Sequence, residues 1–573
     1  MKRKFVLILS LFALLSTMLY VRFNTVEVKA SDDIDPSKIY GIETLWNNSM
    51  SVYDVAVSGD GNYLAAVNDT GIFYFASDNS IPKWWYLWQN MFRSVAISAD
   101  GGYVVAGDNT GHLCYFNDSR TATNDRSAPM WMSIDLWGPV ERGTLDMSDD
   151  GEYVVVGGTG VGLYYFAGCT SRSSFDESPT WQRIFGIGDF LTVHISSDGR
   201  YVAAGGRNYT SNGFVMFYKD ANETETPFLP NWISWSSIDS TIVELALSDD
   251  GYAVAAVGSG PLYYWANCTN LSDDPDATWT KPVDQSFDFR CVDMSADGDS
   301  VVAGSWLPRS LHFWSGARER EGEQNETWVR CEGSSIFDVA IDDQGGIIAA
   351  TGDEVLASPK AYFFKSNGDM IDEFELDQYS PLISMSGNGL ITTVAGPGWD
   401  SLYVFKTITD TTPPLIKDVY QVPANDSVYP TDDVMVFANV TDDLSGVKQV
   451  ILNYTWTNST GTWHGTVVMD PLELDIYNGT IPRLPYCTNV TYVIIAEDNF
   501  NNTVTTEEMG REYTYHVIPE FPPQFVLPLL VTATLLAMLL RKRKLIHQAK
   551  TSTTSKTPKR TFFYRLRLLI MLL

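Results

Sequence analysis

The chain has 573 residues, of which 45% are apolar, 13% aromatic and only 19% charged, which excludes a disordered chain and leaves room for two or three domains. The formal charge is −31, and because residues 541–573 hold ten Lys or Arg and no acid, the remainder carries about −41. So acidic a body excludes nucleic acid as a partner, since that partner needs basic patches.

The chain opens Met1-Lys2-Arg3-Lys4 and then runs apolar from Phe5 to Tyr20, with small residues near Val28-Lys29-Ala30. This pattern predicts a signal peptide or signal anchor over residues 1–30. From about residue 40 one phrase is repeated eight times. A clear copy is ISADGGYVVAGDNTGHLCYF, from Ile97 to Phe116. It reads as strand, turn, strand, turn, strand. The turn glycines are Gly61, Gly101, Gly151, Gly199, Gly251, Gly298, Gly345 and Gly389, about 40 to 52 residues apart, the period of a propeller blade. In each Ser-x-Asp-Gly turn the glycine supplies a positive φ and the aspartate caps the turn, so the flanking strands form a hairpin.

A fourth element with a tryptophan follows the three strands: Trp84, Trp131, Trp181, Trp232, Trp279 and Trp328. Four of these have a proline two places earlier, which fits an edge strand that needs no ladder N–H. The eighth unit ends at Phe405 without a fourth strand. A spare one, Ile42–Trp46, precedes the first unit. The expectation is that every unit but the eighth owns a tryptophan strand, and that Ile42–Trp46 closes the ring on the eighth.

These units resemble WD40-type repeats over residues 40–406, in their Ser-x-Asp-Gly turn, small-residue strand and second Gly turn. The Gly-His pair that opens such repeats is missing from its place, and Phe75, Phe116, Phe166 and Trp265 end the third strand without an aspartate. The resemblance implies an eight-bladed β-propeller used as an interaction platform.

Residues 407–414 form a linker around Pro413-Pro414. From 415 to 517 short alternating strands suit a β-sandwich: Val434–Val440, Val447–Tyr454, Gly465–Met469, Ile476–Ile481 and Val490–Ala496. The runs Thr412-Pro413-Pro414, Asn439–Val447 and Ala496–Asn499 resemble Ig-like or fibronectin-like domains of prokaryotic surface proteins. Asp442, Asp443 and Asp498 are either ordinary acidic turns or oxygen ligands for Ca²⁺. No other cofactor is expected.

Residues 521–540 hold no charge and match the width of a bilayer core, and Arg541-Lys542-Arg543-Lys544 follows at once. A single transmembrane helix is expected there, with a basic cytoplasmic tail at 541–573 and everything earlier outside the cell. Pro519-Glu520-Phe521-Pro522 before it resembles the C-terminal sorting signals of archaeal surface proteins. About fifteen Asn-x-Ser/Thr sequons, among them Asn68, Asn267 and Asn458, all precede this span, where glycosylation is feasible. The six cysteines are too scattered for a disulfide scaffold.

No metal spacing, Gly-x-Ser-x-Gly, P-loop or Cys-x-x-Cys occurs. His112, His194 and His312 lie in different repeats. The site argument is positional instead. Four places before each turn serine, or before Asp342 in the seventh unit, stand Asp54, Ser94, Thr144, Thr192, Glu244, Cys291, Asp338 and Leu382. In a propeller these line one mouth of the axis, either as a ligand site or as a water-lined wall. The connections into the same strands hold Trp88, Phe92, Trp137, Phe190 and Trp235, as rim contacts or as blade packing. Ligand contacts are therefore expected from Asp54, Thr144, Thr192, Glu244, Asp338, Trp88, Trp137 and Trp235. The expected function is a membrane-anchored extracellular propeller acting as a non-catalytic binding or adhesion scaffold for a protein or glycan. The alternative is a tethered propeller enzyme, a hydrolase or dehydrogenase.

Overall fold

The structure is a computed structural model. It describes residues 35–519 and 523–551, apart from 137, 160–161, 184–187, 211, 224–228, 237, 239, 282–287, 355–357, 378–380, 397–401 and 474. The expected signal segment and the end of the basic tail lie outside the described residues. The chain divides into two units, Met1–Thr411 and Thr412–Leu573.

Among the described residues the first unit holds eight sheets of four antiparallel strands, two of which gain a short fifth strand paired parallel. The second sheet shows how the sequence builds them. Ser98 Oγ donates to Asp100 Oδ1 at 2.9 Å, Asp100 Oδ1 accepts the Gly102 N–H at 2.8 Å, and Ser98 Oγ accepts the Tyr103 N–H at 3.0 Å. This three-bond lock fixes the hairpin between Phe92–Ile97 and Val104–Asp108. Gly101 sits at φ 70, and a Cβ there would lie 2.5 Å from the Tyr63 ring of the preceding sheet. Glycine is thus required by conformation and by packing together.

The inner strands Asp54–Val57, Phe92–Ile97, Leu145–Met147, Gly188–Ile195, Ile242–Leu247, Asp288–Met294, Ser334–Ile341 and Leu382–Met385 touch in chain order, and the last returns to the first. The eight sheets therefore close a ring. On the turn side, backbone bonds pass from sheet to sheet: Ala99 N–H to Asp149 O at 2.9 Å, Asp149 N–H to Ser197 O at 3.0 Å, Asp249 N–H to Ala296 O at 2.8 Å and Asp343 N–H to Gly387 O at 2.9 Å.

The outer tryptophans explain the cohesion between sheets. Trp84 Nε1 donates to Ser119 O at 3.0 Å, Trp131 to Cys169 O at 2.9 Å, Trp181 to Ala221 O at 2.9 Å, and Trp232, Trp279 and Trp328 repeat the pattern. Each acceptor belongs to the next sheet. Each indole is also buried against a third-strand aromatic of its own sheet; Trp181 stacks on Tyr165 at 4.9 Å between ring centroids. The seventh sheet corrects the sequence reading. Its outer strand, Met370–Glu375, has no tryptophan. Phe374 takes the place, 4.9 Å from Phe405 of the eighth sheet, because an aromatic body fills the gap even without an N–H to donate. The eighth sheet is completed by Ile39–Asn48, which pairs antiparallel with Leu402–Thr409, and Trp46 Nε1 donates to Ser77 O of the first sheet at 2.7 Å.

The second unit contains two facing antiparallel sheets. One is ordered Leu415–Val422, Val434–Thr441, Ile476–Ile481, Asp470–Glu473. The other is ordered Gly461–Val468, Val447–Asn458, Asn489–Asp498, Thr503–Thr505, with Tyr513–His516 also on Asn489–Asp498. Val436, Ala438, Val450, Leu452, Ile494 and Ala496 are buried between them, as the alternation requires. Leu415–Val422 escaped the sequence reading because its alternation breaks at Asp418, which has φ 47 beside an irregular register.

From Pro523 the uncharged stretch belongs to one helix, Pro523–Thr551, that continues through Arg541–Lys544. Among the described residues no helix is long and apolar enough to cross a membrane.

Candidate functional site at the mouth of the ring

Four of the predicted axial residues share one structural task. Asp54 Oδ2 accepts the Val95 N–H at 3.0 Å, Thr192 Oγ1 the Leu245 N–H at 3.3 Å, Glu244 Oε2 the Val292 N–H at 3.2 Å and Asp338 Oδ2 the Ile383 N–H at 2.9 Å. In each case the donor lies on the inner strand of the next sheet. A polar residue at this place therefore staples neighbouring sheets, which accounts for its recurrence. Thr144 acts differently. Its Oγ1 donates to Glu141 O at 2.6 Å and accepts the Glu141 N–H at 3.1 Å, which fixes the turn that presents Arg142.

Arg142 is the residue that the repeat period did not reveal. It belongs to a connection rather than a strand, so it has no counterpart at matching positions. Its guanidinium is hydrogen bonded to Asp338 and lies 3.9 Å from Asp54. The Asp338 and Asp54 side chains are 5% and 14% exposed, that of Arg142 41%. Arg142 thus stands over three acids, Asp338, Glu244 and Asp54. Burial raises Asp54 to about 6, against the pull of Arg142 and the Val95 N–H. Burial and the neighbouring Asp338 raise Glu244 to about 8. Burial would lower Arg142, but Asp338, Glu244 and Asp54 hold its proton above the usual range. Burial also drives the Cys291 thiol well above its usual range, so it is no nucleophile here.

A cavity of about 410 Å³ opens over these groups. Tyr53, Arg93, Arg142, Arg290, Trp306 and Leu382 line it. Arg93 stacks on the Tyr53 ring at 4.4 Å, and Arg290 on Trp306 at 5.4 Å. Asp288 neutralises Arg290 through bonds of 2.7 and 2.9 Å. Trp306 sits on the hairpin tip beyond Ser305 and is 46% exposed. No periodic signal marks it.

The predicted rim aromatics separate. Phe92 and Phe190 are buried in the packing between sheets, so their role as rim contacts is set aside. Trp88 stacks on Tyr86 and donates from Nε1 to Asp108 Oδ2 at 3.1 Å. Trp235 is 42% exposed, and its backbone N–H is held by Asp274. Neither is among the residues lining the cavity. Trp137 lies outside the described residues.

The opposite mouth is formed by the turns, and there Asp149, Asp249 and Asp343 crowd one another. Burial, then the other acids, raises Asp149 to about 6 and Asp249 to about 7.

One further constellation has the hydrogen-bond order of a nucleophilic triad. Glu326 Oε1 is 2.8 Å from His312 Nδ1, and His312 Nε2 is 2.8 Å from Ser310 Oγ. Ser310 is 3% exposed and His312 2%, Ser305 Oγ lies 3.3 Å from the same nitrogen, and Lys281 binds Glu326 at 3.0 Å. A substrate carbonyl cannot reach a serine so enclosed, and the chain Ser310–His312–Glu326–Lys281 instead ties the sixth sheet to the fifth.

In the second unit Asp442 Oδ1 accepts the Gly446 N–H at 2.7 Å, and Asp498 Oδ1 accepts the Phe500 and Asn502 N–H groups at 2.8 Å. These are turn caps. Asp443 accepts from Thr412 Oγ1 at 3.1 Å. All six cysteines are free thiols.

No protein-family model and no curated protein matches this chain. Among solved structures, the C-terminal WD40 domain of Sif2 aligns with TM-score 0.50 and 13% identity, covering 65% of this chain and 99% of that one. The WD40 β-propeller domain of Doa1 aligns with TM-score 0.40 and 13% identity, covering 64% and 97%. At such identity the first of these likenesses speaks for fold alone, and the ring of sheets in the first unit is a WD40-like β-propeller.

Proposed function

We propose that this protein is a binding scaffold in which an eight-bladed propeller, held outside the cell on a membrane helix, engages a protein partner at the axial mouth lined by Arg93, Arg142, Arg290 and Trp306. The observation that carries the reading is the cavity of about 410 Å³ over the axis, with stacked guanidinium–aromatic pairs on its wall. Arginine and aromatic side chains in a concave, half-desolvated setting are the usual anchors of protein recognition.

The membrane anchor is supported by the helix surface. Leu527, Leu529, Leu530, Leu535 and Leu536 are all at least half exposed, and the basic run Arg541–Lys544 follows Leu540. Such a surface is stable in lipid and not in water, and the basic run favours the cytoplasmic side. The sandwich of the second unit then acts as an Ig-like spacer.

The test places a photo-crosslinking phenylalanine analogue at position 382, inside the cavity, and at position 375, on an outer strand. In intact cells the first should capture a discrete protein partner and the second should not. Equal capture at both positions, or none at 382, would end the reading. Protease outside intact cells should remove the propeller and the sandwich and spare the tail from Arg541.

A further inference from the structure

Arg93 differs from the other two arginines of the mouth. Arg290 is held by Asp288 through two bonds, and Arg142 by Asp338. The Arg93 Nε–H is buried and meets no acceptor, and its terminal nitrogen reaches only the Met91 thioether at 3.8 Å. Its guanidinium carbon lies 4.4 Å from the centroid of the Tyr53 ring. A guanidinium that lines a cavity and has no carboxylate partner among the described residues is set for a planar acceptor. Of the three guanidiniums that line the cavity with Glu141, Arg93 is the one with no carboxylate partner among the described residues. The remaining wall is apolar, with Ile336, Phe337, Pro381 and Leu382.

We propose that the mouth of the ring recognises an acidic side chain, Asp or Glu, of the partner protein, with the carboxylate paired to Arg93 and steered by Arg142, and with the stem of that residue against Leu382 and Trp306. The inference rests on the axial mouth being the protein-binding site. The cavity suits one side chain rather than an extended polymer: its volume is about 410 Å³. The carboxylate supplies what Arg93 lacks, two coplanar acceptor oxygens, and the apolar wall removes water from the pair, which strengthens it. Lysine at position 93 would keep the charge and lose the fork, so the conservative change is informative.

The experiment pans a random displayed peptide library on the full chain in detergent micelles. Selected peptides are then synthesised and titrated against wild type, Arg93→Gln, Arg93→Lys and Trp306→Ala. The expected binders share an Asp or Glu at one position. Amidating that acid and the change Arg93→Gln should each weaken binding at least tenfold, and the two together should cost little more than either alone. Arg93→Lys should fall between. The thermal midpoint of Arg93→Gln should match wild type, which separates lost recognition from lost fold. Binders that Trp306→Ala abolishes but that show no acid preference and no response to Arg93→Gln would overturn this inference while sparing the mouth as the binding site. Binders indifferent to both substitutions, or no binders at all, would sink both.

Discussion

Arg142, on the turn leading into the third sheet, is hydrogen bonded to Asp338, which lies on the inner strand of the seventh, 196 positions away in sequence. In a ring of eight sheets these two stand on opposite sides of the axis, so the pair spans the channel. Arg142→Met would leave Asp54, Glu244 and Asp338 facing one another without a cation. The Arg142 side chain is 41% exposed, so the full penalty of breaking a buried pair is reduced by solvent, and about 1 to 2 kcal/mol is expected at neutral pH. Urea unfolding at pH 7.5 and pH 5 should show the loss shrinking at the lower pH, where the acids take up protons. A loss independent of pH would show that packing, not charge, is what Arg142 supplies.

Glu244 gives the same site a pH signature. Burial and Asp338 raise its carboxyl from the ordinary 4.5 to about 8. A raised carboxyl binds its proton more tightly in the folded state. Its contribution is therefore fully present below about 4.5 and is lost as pH rises through about 8. Glu244→Gln should flatten the fall in unfolding midpoint between pH 5 and 8. An unchanged slope in that variant would assign the dependence to the acids of the other mouth.

The sequence made the ring legible because its cause is local and repeated. Each Ser-x-Asp-Gly turn closes its own hairpin, and each outer tryptophan answers the next sheet, so the period survives sequence divergence. What the period could not display is whatever occurs once. Arg142 lies on a connection and Trp306 near the end of the strand Val301–Leu307, neither with a repeated counterpart, and they form the wall of the mouth with Arg93. The axial acids were found by register, yet the register itself reflects stapling between strands, since Asp54, Glu244 and Asp338 each accept a neighbouring N–H. Phe92 and Phe190 were ambiguous because an aromatic just before an inner strand can face rim or core, and only the packing decides. Phe374 replaces a tryptophan that the pattern supplied in six earlier units. An aromatic swap preserves volume while erasing the signal.

Glu326 predicts the opposite pH response. Burial would raise it, but the hydrogen bond from His312 and the contact with Lys281 hold it near 2. A depressed carboxyl stabilises the fold above its ordinary value of 4.5 and loses that contribution as pH falls toward about 2. Glu326→Gln should cost about 2 kcal/mol at pH 7 and remove part of the acid limb of the stability curve. Ser310→Ala should instead cost about 1 kcal/mol, the worth of one neutral hydrogen bond, with no associated loss of any hydrolytic turnover. Turnover of an ester panel that vanished in Ser310→Ala would reverse the structural assignment of this chain of side chains.

The last prediction concerns closure. Ile39–Asn48 supplies the outer strand of the eighth sheet by pairing with Leu402–Thr409, and so joins the two ends of the propeller. Removing residues 1–48 would leave Leu402–Thr409 as an unpaired edge with its N–H and C=O groups free to pair with another molecule. Such a protein should aggregate on purification and unfold at a lower temperature. Trp46 isolates the side-chain part of this effect. It is only half-buried, packs 5.6 Å from Phe75 and donates to Ser77 O at 2.7 Å. Trp46→Phe keeps the ring contact and loses the bond, so about 1 kcal/mol is expected. Trp46→Ala loses both, and partial exposure places it near the low end for such truncations, about 2 to 3 kcal/mol. Denaturant midpoints of the two variants should rank in that order. Equal midpoints for Trp46→Ala and wild type would mean that backbone pairing alone closes the ring.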